Sequence, residues 1–243
     1  KGLAGTGKTL IAAKTAIKKE YKDKKVLILT KTVGISKFLQ VLINKKSDKK
    51  YENITIINID KFVNLISRKL SLKQDIVPQS FLDKRRFYDE DNPKKCIEIF
   101  NRLPNERFDT VIIDEAQDFH ENWFEPLKSI AKDHGTIIFF YDPLQTTRDN
   151  TMIEILKKPN KIGFSGFSFN TNYRNTSSIS KLLSKLIKKY IPQENLDYSE
   201  HSDINLGRKP TLIEANSFEE IINKTITKVK DYIDFDKFKP MDI

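Results

Sequence analysis

Gly2, Gly7, Lys8 and Thr9 stand in the spacing G-x-x-x-x-G-K-T, with Leu3, Ala4, Gly5 and Thr6 between the two glycines. Such a stretch suits one kind of chemistry. Glycines let successive backbone N–H groups curl around a polyphosphate, and the N-terminus of a following helix adds partial positive charge. In this pattern Lys8 reaches the β- and γ-phosphates while the Thr9 hydroxyl ligates Mg²⁺. Gly2, Ala4, Gly5, Thr6, Gly7, Lys8 and Thr9 are therefore the expected nucleotide-binding residues. Further on, Val111-Ile112-Ile113 leads into Asp114-Glu115. An apolar strand ending in two carboxylates puts them at the carboxyl edge of a sheet, beside the phosphate loop. There Asp114 is expected to hold Mg²⁺, mostly through water, and Glu115 to orient and deprotonate an attacking water.

These residues need a parallel sheet with helices on its faces. Leu10, Ile11, Ala13, Ala16 and Ile17 recur at helical spacing and predict a helix from Lys8 to Tyr21. The run Val26 to Thr30 reads as a buried parallel strand. A helix from Ile35 to Ile43, a charged loop from Lys45 to Glu52, a strand from Ile54 to Ile57 and a helix from Asp60 to Lys69 follow. Residues 70 to 107 hold weaker helical patterns, interrupted by Pro78, Pro93 and Pro104. Thr110 to Ile113 predicts a strand, Asn122 to Lys132 a helix, and Thr136 to Tyr141 another strand. Strands alternating with helices mean βαβ units, hence an α/β fold. After Lys157-Lys158-Pro159 the pattern restarts, with strand-like segments at 167–169 and 211–214 and a helix over 176–190. Ser217 and Glu220 form a capping box ahead of a helix to about 232. The domain boundary is placed near 159. A first domain over 1–158 carries a helical insertion at about 60–107, and 159–243 begins a second.

Composition sets the outer bounds. The chain has 243 residues, which allows one large domain or two smaller ones. Its 16 Phe and 8 Tyr, with many Ile and Leu, can fill a core, which argues against disorder. No apolar run is long enough to span a bilayer, and no signal-peptide pattern opens the chain. A single cysteine, Cys96, excludes an internal disulfide framework and a cysteine-rich zinc site. A reducing, cytoplasmic location is expected. With Lys94 and Lys95 beside it, Cys96 is a candidate for a lowered thiol pKa, but it lacks a partner base. The three histidines, at 120, 134 and 201, are too scattered for a metal cluster. The formal charge of +10 invites a polyanion, although a lysine-rich surface alone produces the same number. Lys84, Arg85 and Arg86 either meet a phosphate backbone or form a solvated helix face. Trp123, Phe119 and Phe124 read as helix-on-sheet packing, and His120 as a surface or capping residue.

The motifs together carry a resemblance. Asp114-Glu115-Ala116-Gln117-Asp118 resembles the Walker B motif of superfamily 1 helicases of the UvrD/Rep type. Tyr141-Asp142-Pro143-Leu144-Gln145 looks like their motif III, and Asn172-Tyr173-Arg174-Asn175-Thr176 looks like motif IV. Leu27 to Lys37 occupies the place of motif Ia, which contacts the single strand in that family. The likeness covers Gly2 to about Thr176. It implies a RecA-like P-loop fold, with the segment after 159 as the start of a second RecA-like domain. It also implies ATP as the nucleotide and Lys8 and Glu115 as catalytic residues. Gln145 would sense the γ-phosphate, Tyr173 would stack on adenine, and Arg174 would be an arginine finger. The physics agrees, since charge developing on a transferred phosphoryl group needs a cation beyond Lys8. Two features depart from the family. Lys31 stands where motif Ia has a stacking aromatic residue, and Thr146, Thr147, Arg148 and Asp149 follow Gln145 where motif III continues into aromatics. Both ends read as cuts. The family's adenine-reading glutamine would precede Lys1, and its closing arginine motif would follow Ile243.

The expected activity is ATP hydrolysis coupled to movement on, or unwinding of, single-stranded DNA or RNA. Alternatives are a non-unwinding switch or sensor in a nuclease or defence assembly, and a nucleotide-binding interaction module. A partner subunit or fused domain would then lie outside this sequence. The charge makes a direct test. If the excess of Lys and Arg contacts phosphates, affinity for single strands should fall steeply between low and physiological salt. The fall should be roughly a hundredfold or more if about six or more phosphates are met. Filter binding across a salt series checks this, and a flat profile would assign the charge to composition alone.

Overall fold

The computed structural model describes residues 1–18, 23–45, 51–72, 77–145, 152–191, 209–211 and 213–234. Four parallel strands form the sheet: β1 (Val26–Thr30), β2 (Ile54–Asn58), β3 (Phe108–Ile113) and β4 (Ala131–Phe139), in the order β2-β1-β3-β4. Every residue of β1 is buried, as is Thr110 to Ile113 in β3, so both faces of the sheet are covered. The strand period of two divides their side chains between two cores. Val26, Ile28 and Ile112 pack with Ala12, Ala13, Ala16, Leu39 and Ile43. Those partners come from α1 (Lys8–Ala16) and α2 (Val33–Asn44). Leu27, Leu29, Val111 and Ile113 face the other way, against Phe62, Phe100 and Trp123. Their cover comes from α3 (Ile59–Lys69), α5 (Asn92–Arg102) and α6 (Phe124–Ile130), with α4 (Phe81–Arg86) and a π-helical turn (Phe87–Asp91) leading into α5. This is the expected α/β, RecA-like layering.

Strand ends hand over to helices through side-chain caps. Thr32 accepts from the N–H of Ile35 at 3.4 Å, and Asn58 Oδ1 accepts from Asp60 and Lys61 at 3.1 and 3.2 Å. Pro104 sits in the first turn of a short helix, where its missing N–H costs little, and Pro93 follows directly on the π-helical turn Phe87–Asp91, so neither interrupts the chain's helical course. Two boundaries depart from the sequence reading. Ala131 and Lys132, expected at a helix end, belong to β4: Ala131 pairs with Phe108 across an irregular register, and Lys132 bonds Asp109 at 2.7 Å. The strand expected over 211–214 makes no ladder pairing among its described residues. Part of the loop expected over 45–52, residues 46–50, lies outside the described residues.

The stretch after Lys158 packs back against the four-stranded sheet. Phe164 packs on Phe139 and Phe124, with ring centroids 5.5 and 6.2 Å apart. Phe169 bridges Gly2 in parallel and donates its N–H to the Lys1 carbonyl at 2.8 Å. Gly2 in turn donates to the Tyr141 carbonyl at 3.1 Å. The loop residues thus lie between the end of β4 and the 167–169 segment. An apolar cleft of about 800 Å³ runs below them, lined by consecutive residues Ile137 to Tyr141 and therefore open along the edge of β4. Helix α7 (Ile153–Leu156) precedes this stretch, and α8 (Ser177–Tyr190) and α9 (Phe218–Asp234) follow it. The capping box before α9 forms, with the Glu220 N–H donating to Ser217 Oγ at 3.1 Å. Among the described residues no helix is long and apolar enough to cross a membrane.

Candidate functional site

The glycine loop is held open by backbone conformation and by its neighbours. Gly5 and Gly7 both have φ of +83°, a region that L side chains rarely adopt. A Cβ on Gly5 would also lie 2.6 Å from Asn172 Oδ1. Gly7 is the N-cap of α1, with no side-chain cap and no acidic residue in the first turn. The first N–H groups of the helix are left for an anion. Lys8 is 6% exposed. Its ammonium donates to the carbonyls of Gly2 at 2.8 Å and Leu3 at 3.1 Å, and pairs with Asp142 at 3.6 Å. Thr6 ties the loop internally by donating to the Leu3 carbonyl at 2.7 Å.

Strands β3 and β4 deliver the carboxylates. Asp114 is fully buried, and neither of its oxygens has a hydrogen-bond partner of normal geometry. Burial pushes its pKa up to about 6. The nearby Thr9 hydroxyl and Lys8 work against that rise, and Glu115 adds to it. An orphaned buried carboxylate next to a threonine hydroxyl suits a hard cation. Among the described residues no three His, Cys, Asp or Glu side chains converge on one metal position. A cation here would take Asp114 and Thr9 from the protein and the rest of its shell from phosphate and water, as Mg²⁺ does. Glu115 follows in the left-handed region, φ 53° and ψ 49°. A non-glycine residue held there signals a constrained turn, often at a functional site.

Two residues of this network carried no role in the sequence reading. Gln117 donates to Glu115 Oε2 at 2.6 Å and accepts from the Asp142 N–H at 3.0 Å. Asp142 is 1% exposed, and burial raises its pKa, opposed by the Leu144 N–H and Lys8. Gln117 and Asp142 stand inside the quoted motifs, but their partners lie 25 residues apart in the chain, so no local pattern pairs them. Gln145 lies exposed on the loop that carries Asp142.

The 172–174 segment reaches the phosphate loop directly. Asn172 Nδ2 donates to the Ala4 carbonyl at 3.0 Å, and the Tyr173 N–H donates to the Gly5 carbonyl at 2.9 Å. Tyr173 is 61% exposed, and Arg174 is also exposed. Asn172 is the other residue that spacing missed; its signal would have been an asparagine two residues before an exposed arginine, which is too common to use.

The remaining candidates separate cleanly. Residues 146–149, noted after Gln145, lie outside the described residues. The Lys31 ammonium lies over the rings of Tyr88 and Phe119, 5.8 and 5.7 Å from their centroids. Trp123 is core, edge-on to Phe119, with its indole N–H donating to the Tyr88 carbonyl at 3.0 Å. His120 caps a turn through Nδ1, which accepts from the Asn122 N–H at 3.3 Å. The lowered thiol considered for Cys96 is overturned: full burial pushes it up to about 12. Lys84, Arg85 and Arg86 lie exposed in the last turn of α4.

Residues 1–220 match the family described as Schlafen group 3, DNA/RNA helicase domain. The chain belongs to that family. Among curated proteins it is 28% identical over 148 residues to one from Mycoplasma capricolum named "Probable DNA helicase II homolog". That alignment takes in 58% of this chain and 20% of the relative, so the chain spans about a fifth of that protein's length. The helicase-domain family and the parallel sheet agree on a helicase-like α/β chain. They leave the finer UvrD/Rep assignment to argument.

The buried carboxylate of this helicase-family domain gives a pH prediction. Asp114 stands at about 6, against an ordinary 3.8. Between those values the folded state keeps a proton that the unfolded state has released. Stability therefore falls as pH rises through that window, and the full penalty stands above it. Without nucleotide or divalent cation, Asp114→Asn should stabilise the fold near neutral pH by up to about 3 kcal/mol. The gain should vanish below about pH 4. Melting curves of both proteins across this range check it, and parallel curves would contradict it.

Proposed function

We propose that this domain binds ATP with Mg²⁺, hydrolyses it, and couples hydrolysis to movement on single-stranded DNA or RNA as a superfamily 1, UvrD/Rep-type motor. The observation that carries this reading is the meeting of Lys8, Thr9, Asp114 and Glu115 at one place. An ammonium and an orphaned carboxylate sit at the carboxyl edge of the sheet, beside an uncapped helix N-terminus. Open α/β sheets bind ligands at that edge. The family membership and the Mycoplasma relative support a nucleic-acid partner.

In this reading bound Mg²⁺-ATP supplies an activated γ-phosphoryl group. Lys8 exchanges its loop carbonyls and Asp142 for phosphate oxygens. Thr9 and Asp114 hold the cation. Glu115 orients a water and takes its proton, and the backbone N–H groups of Gly5, Gly7 and Lys8 face the phosphates. Gln145 senses the γ-phosphate from the loop after β4. Tyr173 stacks on the base, and Arg174 meets charge that develops in the transition state.

One observation favours the second reading, a non-unwinding switch or sensor. The motif Ia position holds Lys31, and its ammonium is engaged by two rings, which leaves no aromatic platform at that residue. Strand-stimulated turnover with directional movement separates a motor from a switch, which would hydrolyse without moving.

Two experiments test the chemistry. Glu115→Gln should leave Mg²⁺-ATP bound and stop hydrolysis, because Asp114 and Thr9 remain while the base is gone. Collapse of ATP affinity with turnover intact would make Glu115 a binding residue instead. Arg174→Ala should lower kcat by roughly 10³-fold with little change in ATP affinity, because a finger acts in the transition state. Tyr173→Ala should raise KM and spare kcat, because stacking serves ground and transition states alike. Steady-state kinetics of the two variants read the split directly, and a finger is ruled out if both behave alike.

A further inference from the structure

Gln117 is a fully used side chain in a place where nothing forces a glutamine. It is 2% exposed. Its Nε2 donates to Glu115 Oε2 at 2.6 Å, and its Oε1 accepts from the backbone N–H of Asp142 at 3.0 Å. A backbone N–H can only donate and an ionised carboxylate can only accept, so the two ends of the amide are assigned without ambiguity. Glutamate, leucine or methionine of similar size would satisfy at most one of them.

The two partners belong to opposite ends of the site. Glu115 sits in a left-handed turn, a conformation that a non-glycine residue keeps only with support from its surroundings. Its turn is tied to the end of β4 by the Ala116 N–H, which donates to the Phe140 carbonyl at 2.9 Å. Asp142 faces the other way, and its carboxylate pairs with the Lys8 ammonium at 3.6 Å and accepts from the Leu144 N–H at 2.9 Å. An unbroken series of contacts thus runs from the Lys8 ammonium to the Asp142 carboxylate, then from the Asp142 N–H to the Gln117 amide and on to the Glu115 carboxylate.

The series has a consequence for ligand entry. Every acceptor now on Lys8 belongs to the protein, so an arriving phosphate must replace some of them. If Asp142 is the partner displaced, it becomes a buried carboxylate without its cation, which is strongly unfavourable. Gln117 is bonded to the backbone of that same residue.

We propose that Gln117 is a positioning residue that holds the Glu115 carboxylate in place and links it, through Asp142, to the phosphate-binding lysine. This rests on the reading of Glu115 as the base. Gln117 acts by holding the Glu115 carboxylate.

The test uses the intact protein with saturating single strand, and reads both kcat and Mg²⁺-ATP affinity from displacement of a fluorescent nucleotide. Gln117→Leu removes both bonds. Gln117→Glu is isosteric, keeps the acceptor for the Asp142 N–H and loses the donor to Glu115. Both should lower kcat by roughly 10–100-fold, as loss of an orienting partner does elsewhere, and leave ATP affinity within about threefold. A cycle with Glu115→Asp, whose shorter carboxylate the Gln117 amide cannot reach, isolates the route. In that background Gln117→Leu should add less than about a threefold loss, whereas independent effects would multiply. Three outcomes overturn the proposal: kcat within about twofold of the parent, kcat and affinity falling together with the melting temperature, or multiplicative losses in the cycle. Its failure is distinct from failure of the underlying reading. If Glu115→Gln leaves turnover intact, Glu115 is not the base. If Glu115→Gln stops turnover and the Gln117 variants do not slow it, the base stands and the coupling falls.

Discussion

The buried ammonium of Lys8 is the contact on which the rest of the site depends. It is the one cation placed among three carboxylates, those of Asp114, Glu115 and Asp142, and it pairs directly with the last. One positive charge cannot compensate three negative ones in a region from which water is largely excluded. The imbalance is visible in the protons. Burial raises both Asp114 and Asp142, and the charge on Glu115 raises each further. A site with surplus negative charge and two orphaned oxygens is stabilised by a divalent cation. A site whose ammonium rests on loop carbonyls is equally ready for a phosphate. The shortage of positive charge favours the cation and opposes a bare polyphosphate, so the proposed nucleotide would be met as its metal complex.

Holding such charges out of water requires a rigid frame, and the sheet provides it. Asp114 is fixed by its own N–H, which donates to the Leu29 carbonyl at 3.0 Å, and by the buried residues of β3 behind it. Those residues pack on both faces, so the carboxylate cannot retreat to solvent without disturbing two cores. The glycine loop leans on the next element along, with Gly2 bonded to the end of β4 and bridged to Phe169. Lysine and carboxylates are set by neighbouring sheet positions, and their distances follow from strand spacing.

This explains what could be read from sequence and what could not. Strands β1 and β2 fall within a residue of expectation because β1, buried on both faces, and the half-buried edge strand β2 are both plain apolar runs. The phosphate loop and the Asp-Glu pair were legible because their chemistry is local: glycines where φ is positive, and carboxylates where a strand stops. The end of α6 was not, because Ala131 and Lys132 have helix-compatible chemistry and are drawn into β4 by Phe108 and Asp109 across the sheet. The bridge between Phe169 and Gly2 was not legible either, since the two are remote in sequence. Gln117, Asp142 and Asn172 were invisible as a set for the same reason. Each makes an ordinary hydrogen bond, and only the fold makes those bonds meet.

Asn172 shows how far that meeting extends. Its amide nitrogen holds Ala4 in the phosphate loop, and its oxygen accepts from the N–H groups of Arg174 and Asn175, each at 2.8 Å. Those two residues immediately precede Thr176, the N-cap of α8. A single side chain therefore joins the loop to the turn from which Arg174 projects and from which α8 begins. Gly5 fits beneath it only because it lacks a Cβ. Movement of the loop around a phosphate must be accommodated either at this amide or in the turn beyond it. Arg174 is exposed, while Asn175 and Thr176 are half-buried and Asn172 is buried. In the proposed reading, displacement of the loop would therefore be taken up most easily at Arg174, away from the packed sheet.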